Sequence, residues 1–250
     1  MKIKLFMSLV VILVSSHSFA AEDPYKTYTG ESLQCKLADG KDLKDVLKMV
    51  KKDWYALTDS FPAPYEGWVI TPNLRSESDV DFDFAWLGFT NNNTDMGAVT
   101  DWFNANGSSA FTKWEKLTVC KSYSHWDIFQ ARQPTRDFTE GTVDHWAISS
   151  CSFKDGKGTS NLRDNDKAWN EYLDGVGHDG GVWRWWPGAG TPTDFKADFL
   201  LNMSFGSLKD FGKYRDARLK SRIDGSLPDS VISCDAPRLY VANNIKGFGG

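Results

Sequence analysis

The sequence is short of the residues on which most metal and acid–base chemistry depends. It holds 4 histidines, and the three beyond residue 20 (His125, His145 and His178) have no partners at metal-ligand spacing. No Cys-x-x-Cys occurs, so no metal site is expected. Gly206-Ser207 lacks the second glycine of a Gly-x-Ser-x-Gly elbow, which excludes the usual serine-hydrolase motif. The glycine-rich stretch Asp174–Gly181 carries no Gly-Lys-Ser/Thr and is no phosphate cradle. Basic charge is not in excess: 29 Lys and Arg face 33 Asp and Glu. That balance argues against a nucleic-acid partner. Long apolar runs are missing too. The one near the start, Leu5 to Val14, is too short for a comfortable membrane span.

That run follows Met-Lys-Ile-Lys and precedes Ser18-Phe-Ala20, which together read as a secretory signal peptide over residues 1–20. The expected product is an exported protein, periplasmic or secreted, with no membrane span once the signal is removed. All four cysteines lie in the exported part, where disulfides are favoured. Four cysteines allow three connectivities.

Internal repetition narrows the choice. Cys35-Lys-Leu-Ala-Asp-Gly-Lys41 recurs as Cys151-Ser-Phe-Lys-Asp-Gly-Lys157, Trp54 as Trp169, and Trp68-Val-Ile-Thr-Pro72 as Trp183-Arg-Trp-Trp-Pro187, at offsets of 116, 115 and 115 residues. Asp81–Leu87 echoes Asp194–Leu200 at 113, and Cys120 echoes Cys234 at 114. Each copy then holds one cysteine near its start and one near its end. The pairing this favours is Cys35–Cys120 and Cys151–Cys234. The expected organisation is a leader over 21–32, a first α+β repeat over 33–133, a linker over 134–146, a second repeat over 147–245 and a tail over 246–250.

Apolar spacing predicts a helix from about Asp42 to Asp59, with Leu43, Val46, Leu47, Val50, Trp54 and Leu57 on one face. Strands are expected at Leu33–Leu37, Gly67–Thr71 and Asp81–Phe89, and a second helix near Asp95–Asn104. Two short strands, Leu117–Cys120 and Asp127–Arg132, end the copy. In Asp81–Phe89, Phe82, Phe84 and Trp86 alternate with Asp81, Asp83 and Ala85. The second copy repeats the order, with strands at Ala147–Phe153, Gly181–Trp185 and Asp194–Met203 and helices near Asn161–Asp174 and Ser207–Lys220.

A βαββαβ order is that of the ferredoxin-like unit. Such a sheet carries helices on one face only, so two copies can cover each other and form one pseudo-twofold α+β barrel. This order, duplicated over about residues 33–245, resembles the dimeric α+β barrel superfamily that includes antibiotic-biosynthesis-monooxygenase-like proteins, here in a single chain. The resemblance implies a pocket lined by aromatic and apolar residues. It implies a range of activities that includes cofactor-independent oxygenases, isomerases, haem proteins and plain binding proteins. No catalytic motif of a named member maps onto this chain. No cofactor is expected from the sequence itself; haem enters only through the resemblance.

The residues to watch follow from chemistry. His125 and His178 are the candidates for a general base or an axial haem ligand, against an ordinary place in loops or at the surface. Asp83 alternates with large aromatics; facing inward it would be a desolvated base, facing outward a solvated acid. Arg184 sits among Trp183, Trp185 and Trp186, where it could hold a carboxylate or stack on a ring, or else cover apolar surface with its stem. Trp86, Trp183, Trp186 and Arg184 are the expected ligand contacts. The 11 tryptophans are mostly core material yet leave enough for an aromatic-lined cavity. The leading expectation is a protein that binds a small aromatic or apolar molecule. The alternatives are an enzyme of the superfamily and a structural or interaction protein with no pocket. A barrel packed solid would weaken the first two; a hollow one holding a perturbed acid or base would favour catalysis.

Overall fold

The computed structural model describes residues 25–76, 78 and 80–248. The signal-peptide reading of residues 1–20 lies outside them. The chain runs β1 (Lys26–Leu37), α1 (Leu43–Met49), a π-helical turn (Val50–Trp54), α2 (Tyr55–Thr58), β2 (Glu66–Leu74), β3 (Phe84–Thr90), α3 (Asn93–Asn106), α4 (Ser108–Glu115) and β4 (Thr118–Arg132). It continues with β5 (Val143–Phe153), α5 (Leu162–Gly175), β6 (Val182–Pro187), β7 (Phe199–Phe205), α6 (Leu208–Asp224), β8 (Ile232–Cys234) and β9 (Arg238–Lys246).

Eight strands close into an antiparallel barrel. The order is β7-β6-β4-β1-β3-β2-β9-β5, with β5 returning to β7 and the short β8 lying alongside β5. The first four strands take the order β4-β1-β3-β2 and the later ones β9-β5-β7-β6. The two sets join along β4–β6 and β2–β9. Closure leaves no free edge on the eight strands.

Every residue of β3 is buried, because both faces of the wall are covered. Phe84 and Trp86 point outward under α1, α3 and α4, where they join Val46, Val50, Trp54 and Trp114. Ala85, Leu87 and Phe89 point inward and meet Trp68, Trp126, Trp146 and Trp185. The second half has its own outer core, in which Phe205, Leu239 and Val182 pack on Leu173 and Tyr214. Three aromatic-rich layers therefore share one barrel wall.

The first helix begins where the sequence places it. Asp42 caps it by accepting from the Asp45 amide at 3.0 Å, and Asp45 returns a bond to the Asp42 amide. Other boundaries move. β1 starts at Lys26, inside the stretch read as a leader, and β5 starts at Val143, inside the stretch read as a linker. Sheet pairing extends both, since Lys26 pairs with Gln130 and Val143 with Asn243. The two short strands expected after α4 are one 15-residue strand, β4. Phe82 does not share a face with Phe84: it precedes the strand and stacks on Tyr240 among the inward residues, 6.2 Å away.

The disulfides are Cys35–Cys120 and Cys151–Cys234. Each joins facing strand residues, Cys35 opposite Cys120 and Cys151 opposite Cys234. The same cysteines lie opposite Phe84 and Phe199 on their other neighbours. Counted from the cysteines, Phe84 of β3 corresponds in position to Phe199 of β7. The echo of Asp81–Leu87 with Asp194–Leu200 is therefore two residues out of register. Asp83 and Asp198 are the matching acids. Asp83 accepts from the Leu37 amide at 2.8 Å and Asp198 from the Phe153 amide at 2.7 Å.

Candidate functional site

The two ends of the barrel differ. At the disulfide end Trp126 meets Phe195 and Phe82 stacks on Tyr240. At the opposite end a cavity of about 540 Å³ enters between the start of β1, the end of β4, the 133–140 segment and the end of β9. Its inner wall is aromatic: Trp68, Phe89, Trp146, Trp183 and Trp185. Trp68 and Trp146 lie 4.9 Å apart, Phe89 and Trp185 5.5 Å. Tyr28 and Phe248 stack at 5.8 Å at its rim, so part of the segment read as a loose tail belongs to the cavity. The volume is within the range of small-molecule sites.

Strand geometry explains the polar groups. Residues i and i+2 share a face, so an inward tryptophan finds its hydrogen-bond partner two positions earlier. Trp68 Nε1 donates to Glu66 Oε1 at 2.8 Å, Trp126 Nε1 to Ser124 Oγ at 3.0 Å, and Trp146 Nε1 to Asp144 Oδ2 at 3.1 Å. Trp185 breaks the pattern, because the residue two positions before it is Trp183. Its Nε1 is buried with no partner among the described residues, and so is Asn202 Oδ1 on the same wall. Buried polar atoms are rarely left unpaired, and here both belong to residues lining a cavity.

Glu66 is the titratable group of this wall. Its Oε1 also accepts from Asn244 Nδ2 at 3.0 Å. Burial pushes its pKa up to about 7, against the opposing effect of the Trp68 and Asn244 hydrogen bonds and the charge of Lys26. Asp144 is fully buried behind Trp146 and pairs with Arg136 at 2.8 Å. Burial raises its pKa to about 6, opposed by Arg136. Arg136 also reaches Ser204 Oγ at 3.2 Å, which anchors the 133–140 segment to β7. Tyr55 donates to Glu140 at 2.9 Å and holds that segment to α2.

The residues singled out from the sequence are spread over both faces of the barrel. Trp183 lines the cavity. Trp86 lies on the outer face, fully buried, donating to Tyr65 Oη at 2.8 Å. Arg184 and Trp186 also face outward, where they line a groove with Phe129 and Tyr25. Arg184 is 3% exposed and makes a two-pronged ion pair with Asp166 of α5, itself 6% exposed. Tyr25 donates to the same carboxylate at 2.8 Å. Asp83 is exposed and engaged with the Leu37 amide. His125 is half-buried on the outer face, 3.2 Å from Tyr123 Oη, which donates to Glu31 at 2.8 Å. His178 packs against Phe205 and Tyr214, at 4.9 and 6.0 Å, in the outer core of the second half. Burial and the nearby Arg132 lower its pKa to about 4, which leaves it neutral.

Sequence inspection missed Glu66, Trp68, Trp146, Trp185, Asn202 and Phe248 as site residues. Glu66 could have been found, since it precedes Trp68 and Ile70 at strand alternation. Trp146 and Phe248 were hidden by boundaries drawn inside β5 and before the end of the sheet.

A haem would need an imidazole, thiolate, thioether or phenolate ligand. No histidine, cysteine or methionine lines the barrel cavity among the described residues, and its phenols are Tyr28 and Tyr55, the latter bonded to Glu140. A smaller cavity of about 190 Å³ on the outer face offers Met203 and Tyr214 but no imidazole. Among the described residues neither cavity offers an imidazole or a free thiolate, and the remaining haem-type donors in them are the phenols of Tyr28, Tyr55 and Tyr214 and the thioether of Met203. No group of three or more His, Cys, Asp or Glu positioned for a metal occurs among the described residues. No described helix is long and apolar enough to cross a membrane.

No family model matches this chain. No curated protein matches it either. Solved structures do resemble it. A candidate monooxygenase from Lactobacillus acidophilus NCFM superposes with a TM-score of 0.51 at 9% identity, over 88% of this chain and 97% of that one. A single-residue variant of chlorite dismutase from Candidatus Nitrospira defluvii gives 0.50 at 9% identity, over 89% and 93%. At such identity the likeness is one of fold: an α+β barrel.

Proposed function

We propose that this is an exported protein that binds a small, partly aromatic molecule in the open end of its barrel. The observation that carries this is the cavity of about 540 Å³, walled by tryptophans and holding a buried donor, Trp185 Nε1, and a buried acceptor, Asn202 Oδ1, that no described residue satisfies. A bound molecule with matching polar atoms would complete both. The two strand sets support a further inference, that the halves are copies of one ferredoxin-like module packed about a pseudo-twofold axis. Export is favoured by the N-terminal sequence and by the two disulfides. The test is native mass spectrometry of the mature protein beside its denatured mass. A mass excess lost on denaturation, and absent from a variant with Trp185 and Asn202 replaced, supports the site. Equal masses, with no mass gained from any aromatic compound supplied in excess, oppose it.

Glu66 favours a second reading. A carboxyl with a pKa near 7 beside an aromatic ligand is poised to take or give a proton. With a substrate carrying an acidic C–H or O–H, Glu66 would act as general base in a cofactor-independent oxygenase or isomerase. Solved neighbours named as a monooxygenase and a chlorite dismutase are compatible with an enzyme on this fold, although fold alone does not assign activity. Oxygen uptake or isomerisation with a panel of hydroxylated aromatics, lost in Glu66→Gln, would support catalysis. Binding without turnover would leave the binding role.

A further inference from the structure

The charges and rings of the cavity go further than an apolar ligand, and we infer that the barrel takes a cationic aromatic molecule, an aryl-alkyl ammonium. This rests on the barrel cavity being the ligand site.

Rings at the mouth already attract cations from the chain itself. Lys26 lies over Tyr28 at 5.2 Å, Lys246 over Tyr55 at 4.4 Å and Arg136 over Phe138 at 4.9 Å. All three rings line the cavity. Two of these cations are neutralised where they stand, Lys246 by Asp59 and Arg136 by Asp144. The lining acids Glu66, Asp137 and Glu140 outnumber the lining bases Arg136 and Lys246. Further in, Trp68, Trp146 and Trp183 carry no cation among the described contacts. An indole face is the best aromatic partner for one.

Hydrogen-bonding capacity points the same way. Both described bonds to Glu66 fall on Oε1, so Oε2 is left to accept. Asn202, 2% exposed, presents an unpaired Oδ1. Two acceptors and an aromatic wall suit an ammonium with N–H donors. Trp185 Nε1 needs one acceptor, which a phenolic oxygen on the aryl end would provide. An ammonium entering this site loses hydration, and an ionised Glu66 offsets that cost. The other charged groups facing the cavity are Arg136, Lys246, Asp137 and Glu140, with Lys26 close to Glu66 and Asp144 just behind Trp146, where it pairs with Arg136 and also titrates in this range.

The test compares two molecules of one shape, 4-(2-aminoethyl)phenol and its neutral alcohol counterpart 4-(2-hydroxyethyl)phenol, by calorimetry on the mature protein. At pH 8 the amine is expected to bind at least tenfold more tightly. Lowering the pH to 6 protonates Glu66 and is expected to weaken the amine about tenfold while leaving the alcohol unchanged. Glu66→Gln, which keeps the acceptor for Trp68 and Asn244, is expected to bring the two ligands within about twofold and to remove most of the pH dependence, Asp144 behind Arg136 leaving the rest. If the alcohol binds as tightly as the amine, the cationic preference is overturned and the cavity stands. If neither binds at millimolar concentration, both the cation and the cavity as a site are overturned.

Discussion

Glu66→Gln should change how stability depends on pH, and the size of the change follows from the site. In the folded protein the Glu66 pKa is raised from 4.5 to about 7 by burial. A carboxyl with a raised folded pKa holds its proton more tightly in the folded state. Its contribution to stability is complete below the unfolded value, near 4.5, and is lost as the pH climbs through about 7. About 2.5 pKa units at 1.36 kcal/mol each makes the loss about 3 kcal/mol. Glutamine cannot ionise, and its side-chain oxygen still accepts from Trp68 and Asn244. The stability of Glu66→Gln relative to the parent should therefore rise by about 3 kcal/mol between pH 4.5 and pH 8. Asp144 contributes equally to both proteins and cancels in the comparison. Urea unfolding at a series of pH values measures the difference directly. A difference constant within about 0.5 kcal/mol over that range would refute the burial of an ionisable Glu66, and with it the proton-exchange role.

Three further outcomes follow from the rest of the structure. Replacing Cys35 and Cys120 by serine should lower stability by on the order of 4 kcal/mol from loop entropy alone, the bond closing 85 residues of chain; guanidinium titration reads it. Asp166→Ala strands the buried guanidinium of Arg184 and should cost about 3–5 kcal/mol, while the double variant with Arg184→Met should recover most of the loss, as thermal unfolding will register. Gly67→Ala puts a methyl 2.6 Å from the Trp86 ring and should cost about 1–3 kcal/mol, whereas Gly97→Ala, open on all sides within helix α3, should be neutral or stabilising by up to about 1 kcal/mol; their melting temperatures should move apart.

Much of the architecture was legible because it rests on local rules. The helical spacing of Leu43, Val46, Leu47, Val50, Trp54 and Leu57 marks the first helix before any tertiary contact is considered, although the turn at Val50–Trp54 is π-helical. The cysteine pairing was legible from the spacing of the four cysteines, and each bond joins facing strands. What stayed hidden depends on which side of the wall a residue takes. Trp86 and Trp185 are both strand tryptophans in apolar stretches, yet one points under the helices and the other into the barrel. The face is set by register with neighbouring strands, which a single sequence does not display. Glu66 stayed hidden for a related reason: an acid at a strand start reads as a solvated end until the barrel closes over it. Counted from the cysteines, Asp83 corresponds to Asp198, whereas the letter match of Asp81–Leu87 with Asp194–Leu200 lies two residues away.

The claim that the open end of the barrel is a ligand site is tested most directly by the indole N–H resonances of the 11 tryptophans in a nitrogen-15 labelled sample, followed during titration with 4-(2-hydroxyethyl)phenol and with its amine. Trp68, Trp146, Trp183 and Trp185 line the cavity and should shift together and saturate. Trp54, Trp86 and Trp114 belong to the outer core and should stay in place. Shifts confined to the outer tryptophans, or no saturable shift with either compound, would contradict the assignment of this cavity as the site.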